Sequence, residues 1–190
     1  MKRSLVAVAL VAICAVPTVA RAQGLGVVGG LSYGSVPNTN TSGAGTYKAN
    51  SGFAVGIGAE SGGVIGFGIN GLYAQRGYTN SVSGFSRNLS YIDVPVYLRV
   101  AIPNPVITPF ALAGPQGSFE LNCDGGDCPS GRPKTTYSAI VGLGVKFRAL
   151  AGLSVQGRYI YGLTNLNSGT IENTNNYQTR SFMLLVGIGF

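Results

Sequence analysis

An eight-stranded antiparallel up-and-down β-barrel crossing a membrane is the fold this sequence predicts, and three observations predict it. Segments of about ten residues alternate apolar with small or polar side chains, the signature of strands with two unlike faces. The intervals between them alternate long and short. Charge is sparse: 13 Lys and Arg and 6 Asp and Glu stand among 190 residues that include 30 Gly, 10 Tyr and 8 Phe, with neither His nor Trp.

The barrel domain does not start at residue 1. Lys2 and Arg3 precede the apolar stretch Leu5 to Val16, and Ala20-Arg21-Ala22 follows. A basic start, a short apolar core and small residues read as a secretory signal peptide over residues 1–22, cut before Gln23, with a cut after Ala20 as the other fit to the pattern. The run is shorter than the ~20 residues of a membrane-spanning helix. The domain is then 23–190, with ten basic and six acidic residues and a net charge of +4. That mild excess, with no dense basic run, does not mark a nucleic-acid binder.

The strands follow in order. The first carries Leu25, Val27, Leu31 and Tyr33 on one face, and the second Phe53, Val55, Ile57 and Ala59, both opposite Gly-rich faces. The third sets Ile65, Phe67, Ile69 and Tyr73 against Gly66, Gly68, Asn70 and Arg76. The fourth is the clearest: Ile92, Val94, Val96, Leu98 and Val100 oppose Tyr91, Asp93, Pro95, Tyr97 and Arg99. The fifth sets Thr108, Phe110 and Leu112 against Pro109, Ala111 and Ala113. In the sixth, Ala139, Val141, Leu143, Val145 and Phe147 oppose Gly142, Gly144, Lys146 and Arg148. In the seventh, Leu153, Val155, Tyr159 and Tyr161 oppose Gln156, Arg158 and Gly162. The eighth runs Phe182, Leu184, Val186, Ile188 and Phe190 against Ser181, Met183, Leu185, Gly187 and Gly189.

The intervals 34–50, 78–88, 117–136 and 164–178 are long, and 60–63, 102–105 and 149–152 are short. An outer-membrane barrel has short periplasmic turns and long outer loops, and an even strand number puts both mature termini in the periplasm. Period two alone does not say which face points inward. Isolated charges among Gly and Ala, in place of a dense Lys/Glu surface, favour apolar side chains toward lipid and the small, polar face toward the interior. Eight strands enclose a space that side chains fill. Closure also removes the unpaired edge, whose backbone groups would each cost several kcal/mol in hydrocarbon. Pro95 lacks a ladder donor, so a bulge or distorted pairing is expected there.

The candidate site residues are those of the filled interior. Glu60, Arg99, Lys146 and Arg148 fall toward the periplasmic half, Arg158 near the middle, and Asp93 and Arg76 toward the outer half. Buried charges need partners, and with bases in excess, water, backbone carbonyls or the hydroxyls of Tyr91 and Tyr97 must complete the set. Cys123 and Cys128 flank Asp124-Gly125-Gly126-Asp127 and are expected to form a loop disulfide in an oxidising compartment. Two sulfurs and two carboxylates without His make a weak zinc site, and the two acids read as a turn before they read as a calcium site. No cofactor, metal or catalytic set is expected: without His there is no imidazole base, and no cluster offers nucleophile, base and orienter. Tyr33, Tyr73, Tyr159 and Tyr161 suit an interfacial aromatic girdle.

Several stretches carry a likeness. Asn70-Gly71-Leu72-Tyr73-Ala74-Gln75-Arg76-Gly77, Leu89-Ser90-Tyr91-Ile92-Asp93-Val94-Pro95-Val96-Tyr97-Leu98-Arg99, Pro109-Phe110-Ala111-Leu112-Ala113-Gly114-Pro115 and Arg158-Tyr159-Ile160-Tyr161-Gly162-Leu163-Thr164-Asn165 resemble the outer-membrane beta-barrel domain family typified by PorT-like proteins, from about Leu25 to Phe190. The chain departs from that pattern at Asn70-Gly71, where the family commonly has Glu-Leu. The resemblance implies that Phe190 is the terminal signal read by the barrel insertion machinery, and that the protein passes through the periplasm to the outer membrane. Family activities are largely undefined, some members being linked to secretion, and fold alone transfers no function.

The expected function is that of a small outer-membrane barrel with a structural or surface-binding role, not an enzyme. Its expected partners are outer-membrane lipid, the insertion machinery during assembly and an extracellular or envelope protein, with the barrel itself a monomer. A narrow porin-like channel is the alternative, followed by a lipid-modifying barrel enzyme and a soluble periplasmic barrel.

Overall fold

The computed structural model describes residues 23–35, 47–80, 86–124, 134–147, 152–164 and 180–189. They form β1 (Gln23–Ser35), β2 (Tyr47–Ser61), β3 (Ile65–Asn80), β4 (Ser86–Ala101), β5 (Ile107–Asp124), β6 (Thr135–Phe147), β7 (Leu153–Gly162) and β8 (Arg180–Ile188). Each strand pairs antiparallel with the next, and β8 returns to β1 to close the barrel.

The pairings fix the stagger. A path from Ala101 through Phe110, Gly144, Gln156, Leu185, Gly30, Ala54 and Ala74 returns to β4 at Tyr91, ten residues from its start. Such a stagger over eight strands means a tilt of roughly 40° and an interior wide enough for large side chains.

The apolar faces turn outward as expected on seven strands. Leu25, Ile57, Phe67, Leu98, Leu143, Tyr159 and Leu184 are all exposed, Leu143 by 71%. The fifth strand reverses the rule. Thr108, Phe110 and Leu112 are buried in the interior, and Pro109, Ala111 and Ala113 face outward. Both faces of that segment are free of charge, so hydrocarbon tolerates either; the bulky side chains go where there is volume to fill, against Gly142 and Gly144 of β6.

Three of the long intervals, 34–50, 78–88 and 117–136, prove to be partly strand. The β4–β5 ladder runs up to Asn88 and Asp124, so β5 occupies 117–124 of the interval 117–136. One register shift, between Ser90 and Tyr91, absorbs an extra residue in the extension. Likewise Tyr78 pairs with Arg87 and Thr79 with Ser86, which shortens the β3–β4 connection to 81–85. It is no longer than the β4–β5 connection at 102–106. Alternating long and short connections therefore hold for three of the four expected long intervals.

At Pro95 the β3–β4 ladder is interrupted between Ile69/Val96 and Leu72/Asp93 without a change of register. The missing donor thus distorts pairing locally and makes no bulge. The tight β2–β3 and β6–β7 connections place Gly63 at φ 112° and Gly152 at φ 72°, a region closed to most side chains.

Candidate functional site

The interior is the site the fold builds. Its charges fall into two groups. Toward the long connections, Arg76 of β3 reaches past its register partner Leu89 to donate to Asp93, four residues further along β4, and the Arg76 guanidinium lies 5.3 Å from the centre of the Tyr91 ring. Ser118 is the cross-strand partner of Asp93 on the other side.

Toward the short connections, four strands contribute to one cluster. The Tyr97 hydroxyl donates to Glu60 Oε1 at 2.6 Å, and Arg99 Nη1 lies 3.7 Å from Glu60 Oε2. Arg99 Nη2 also donates to the Ser61 carbonyl at 3.3 Å. Arg158 crosses the interior from β7: its Nη2 donates to Asn70 Oδ1 of β3 at 2.8 Å and to Gln156 Oε1 at 3.2 Å, with its guanidinium 4.9 Å from the Tyr97 ring centre. The Arg99 guanidinium sits 5.6 Å from the Phe110 ring centre. Ring faces, amide oxygens and one backbone carbonyl thus complete the basic set, and Tyr97 gives its proton to the acid.

Glycines make the room. Gly68 pairs directly with Tyr97, and a Cβ there would stand 2.3 Å from the ring. Gly144 pairs with Phe110, where a Cβ would stand 2.4 Å from Cζ. Each aromatic covers the strand opposite at the place where that strand has no side chain, the arrangement that rescues glycine in sheets.

Between the charged groups the interior is mostly apolar, with the buried Gln116 of β5 bound to Ser118 among the apolar side chains. On the inward face of β3, Leu72 and Ala74 separate Asn70 from Arg76; on β7, Ile160 follows Arg158 toward the long connections. Val28, Leu72, Ile140, Ile160, Met183 and Leu185 belong to one buried cluster with Phe110 and Leu112. Above it lie the buried Ser32, Ser118, Ser138 and Ser181. Apolar side chains thus stand between the two polar groups, Met183 and Leu185 from the face expected to point inward and Phe110 and Leu112 from the reversed fifth strand among them.

Of the expected network, Glu60, Arg76, Tyr91, Asp93, Tyr97, Arg99 and Arg158 all face inward and form these two groups. Lys146 also has inward parity on β6, is half-buried and is engaged in an interaction of its own. Arg148, Cys128 and Phe190, like the signal segment 1–22 and Asp127, lie outside the described residues. Cys123 stands near the end of β5, paired with Leu89. Asn70 and Gln156 stand on the face that the alternation turns inward, as the structure has them, but are not counted in the expected network, since a neutral amide within a strand carries no charge signal. Among the described residues no three His, Cys, Asp or Glu side chains are placed to hold a metal ion. Tyr33, Tyr73, Tyr159 and Tyr161 have outward parity, with Tyr73 5.8 Å from Phe53 and Tyr161 5.8 Å from the Arg180 guanidinium.

Among solved structures, Neisserial surface protein A matches over 87% of this chain and 97% of its own, at 14% identity and a TM-score of 0.53. OprG from Pseudomonas aeruginosa matches over 88% of this chain and 94% of its own, at 10% identity and a TM-score of 0.52. At these identities the likeness is one of fold. No curated protein matches the chain in sequence. The family model for the outer membrane protein beta-barrel domain matches residues 6–190. Nearly the whole chain is covered, and the protein belongs to the outer membrane protein beta-barrel domain family.

Proposed function

We propose that the protein is a plugged outer-membrane barrel with a structural or surface-binding role, which acts through the connections at its long-connection end and not through its interior. The observation that carries this reading is the apolar layer of Leu72, Ile140, Ile160, Met183 and Leu185 across the interior. An ion passing between the two polar layers would have to shed its hydration against hydrocarbon side chains, a penalty far above thermal energy. Among the described residues, the polar groups on either side set no nucleophile beside a base in register for catalysis.

On this reading both termini and the short connections at 62–64, 102–106 and 148–152 are periplasmic, and the connections at 36–46, 125–134 and 163–179 form the outer surface. Cys123 and Cys128 are joined in that surface, and Phe190 serves assembly by the insertion machinery. The outward tyrosines toward the long-connection half support this orientation. The stretches 70–77 and 89–99 support a place beside PorT-like proteins, and with it a role in secretion or the cell envelope through an envelope protein partner.

Planar-bilayer recording of the purified protein tests the plugged interior: no steady conductance is expected, and large, steady conductance would make it a porin. Crosslinking intact cells from a cysteine introduced at Asn40 tests the binding role. A specific attached protein is the expected result, and its absence would count against surface binding.

A further inference from the structure

We propose that the turns at 62–64 and 102–106 form one apolar foot, immersed in the lipid leaflet at the short-connection end, with acyl chains as its partner. Val64, Ile102 and Val106 stand in these turns and are 53%, 68% and 64% exposed. Turns that end in water are rich in polar side chains. Here no charged residue occurs between Glu60 and Arg76 or between Arg99 and Glu120, whereas the third short connection carries Arg148. The two turns are tied to each other, since the Ala101 N–H donates to the Val64 carbonyl at 2.7 Å.

The backbone of the foot asks as little of water as its side chains do. The Ile102 N–H donates to the Pro109 carbonyl at 2.9 Å, and Pro103 and Pro105 have no N–H to satisfy. Asn104, the polar side chain of the 102–106 turn, bends back on its own loop: its Oδ1 accepts from the Val106 and Ile107 N–H groups at 3.0 and 3.3 Å. A backbone donor left unpaired in hydrocarbon is costly, so a turn that spends its donors on itself suits lipid. Continuity names the occupant. Ile65 pairs with Val100 and Phe67 with Leu98, and all four are exposed on the outward face, so the foot prolongs the lipid-facing surface without a polar break. Left in water, such a surface would be a binding patch for protein; joined to the apolar band, it is covered by the same lipid when the barrel sits deeper on the β3–β5 side. The inference rests on the outward face meeting lipid, and is independent of what the outer connections bind.

The chain has no Trp, so a single introduced Trp reports its own surroundings. Ile102→Trp and Val106→Trp are compared with Leu98→Trp, each in the full mature protein, shown to be folded by its gel band and reconstituted in phosphatidylcholine bilayers. The quenchers are bromine atoms on the acyl chains and acrylamide in the water. I102W and V106W are expected to lose most of their fluorescence in brominated lipid, as L98W does, and to be shielded from acrylamide. Quenching of I102W and V106W by acrylamide alone, with L98W still quenched by the lipid, would overturn the foot and leave the barrel in the membrane. Shielding of both from either quencher would also overturn it and make a second copy of the chain the occupant, since no other protein is present. Absence of lipid quenching in L98W as well would overturn the foot together with the lipid-facing surface it continues.

Discussion

Tyr97 lies over Gly68, its cross-strand partner, and from that position its hydroxyl reaches Glu60 at 2.6 Å. The missing side chain on β3 and the hydrogen bond to β2 are parts of one arrangement: the ring that carries the hydroxyl to Glu60 occupies the place where a Cβ at Gly68 would stand.

Gly68→Ala is accordingly expected to destabilise the barrel by about 2 kcal/mol or more, since a Cβ would meet the Tyr97 ring. Tyr97→Phe removes the buried hydrogen bond to the acid and is expected to cost about 2 kcal/mol. Urea unfolding of the refolded protein measures both. The effect of G68A should shrink in a Tyr97→Leu background, where no ring occupies the space; an equal loss in both backgrounds would mean the pair is not coupled.

Asp93→Asn leaves the Arg76 guanidinium without its counter-charge. A loss of about 3 kcal/mol is expected, and D93N combined with Arg76→Met should lose less than the two single changes together. The temperature of the gel band shift reports this. Additive losses would show that the two side chains act separately.

A bridge between Cys123 and Cys128 is expected to shield both thiols from alkylation until a reductant is added, as read by intact mass. Reduction should leave the barrel folded, because of the residues enclosed by the bridge only Asp124, the last of the β4–β5 ladder, belongs to a strand. Immediate alkylation of both thiols would refute the bridge.

Topology follows from the same frame. A thiol label at Asn40 is expected to react in intact cells, and one at Ser61 only after the outer membrane is opened. The reverse pattern would invert the barrel.

Much of this architecture was legible in the chain. Period two alone places Val96 and Leu98 opposite Tyr97 and Arg99, because a strand turns successive side chains to opposite faces. The fifth strand was legible only as two faces. Phe110 and Ala111 are both uncharged, so nothing in the alternation says which points inward; the space over Gly144 decides it, and that pairing is made only when the barrel closes. Arg158 was recognisable as an interior charge, but its partner Asn70 was not. The two are 88 residues apart and meet only across the closed interior. The apolar layer was hidden for a related reason: Leu72 and Ile140 each sit singly among small or polar inward neighbours on their own strands and join Met183 and Leu185 only around the barrel.

The central claim is that Leu98, Leu143 and Val186 face hydrocarbon around a closed, filled barrel. The direct measurement places a spin label at each of these positions in turn, in protein with Cys123 and Cys128 replaced by Ser, reconstituted in lipid bilayers, and compares its collisions with oxygen and with a water-soluble nickel chelate. The account predicts labels reached by oxygen and shielded from nickel at all three positions. Labels open to nickel, in a protein that stays dissolved without detergent, would contradict it.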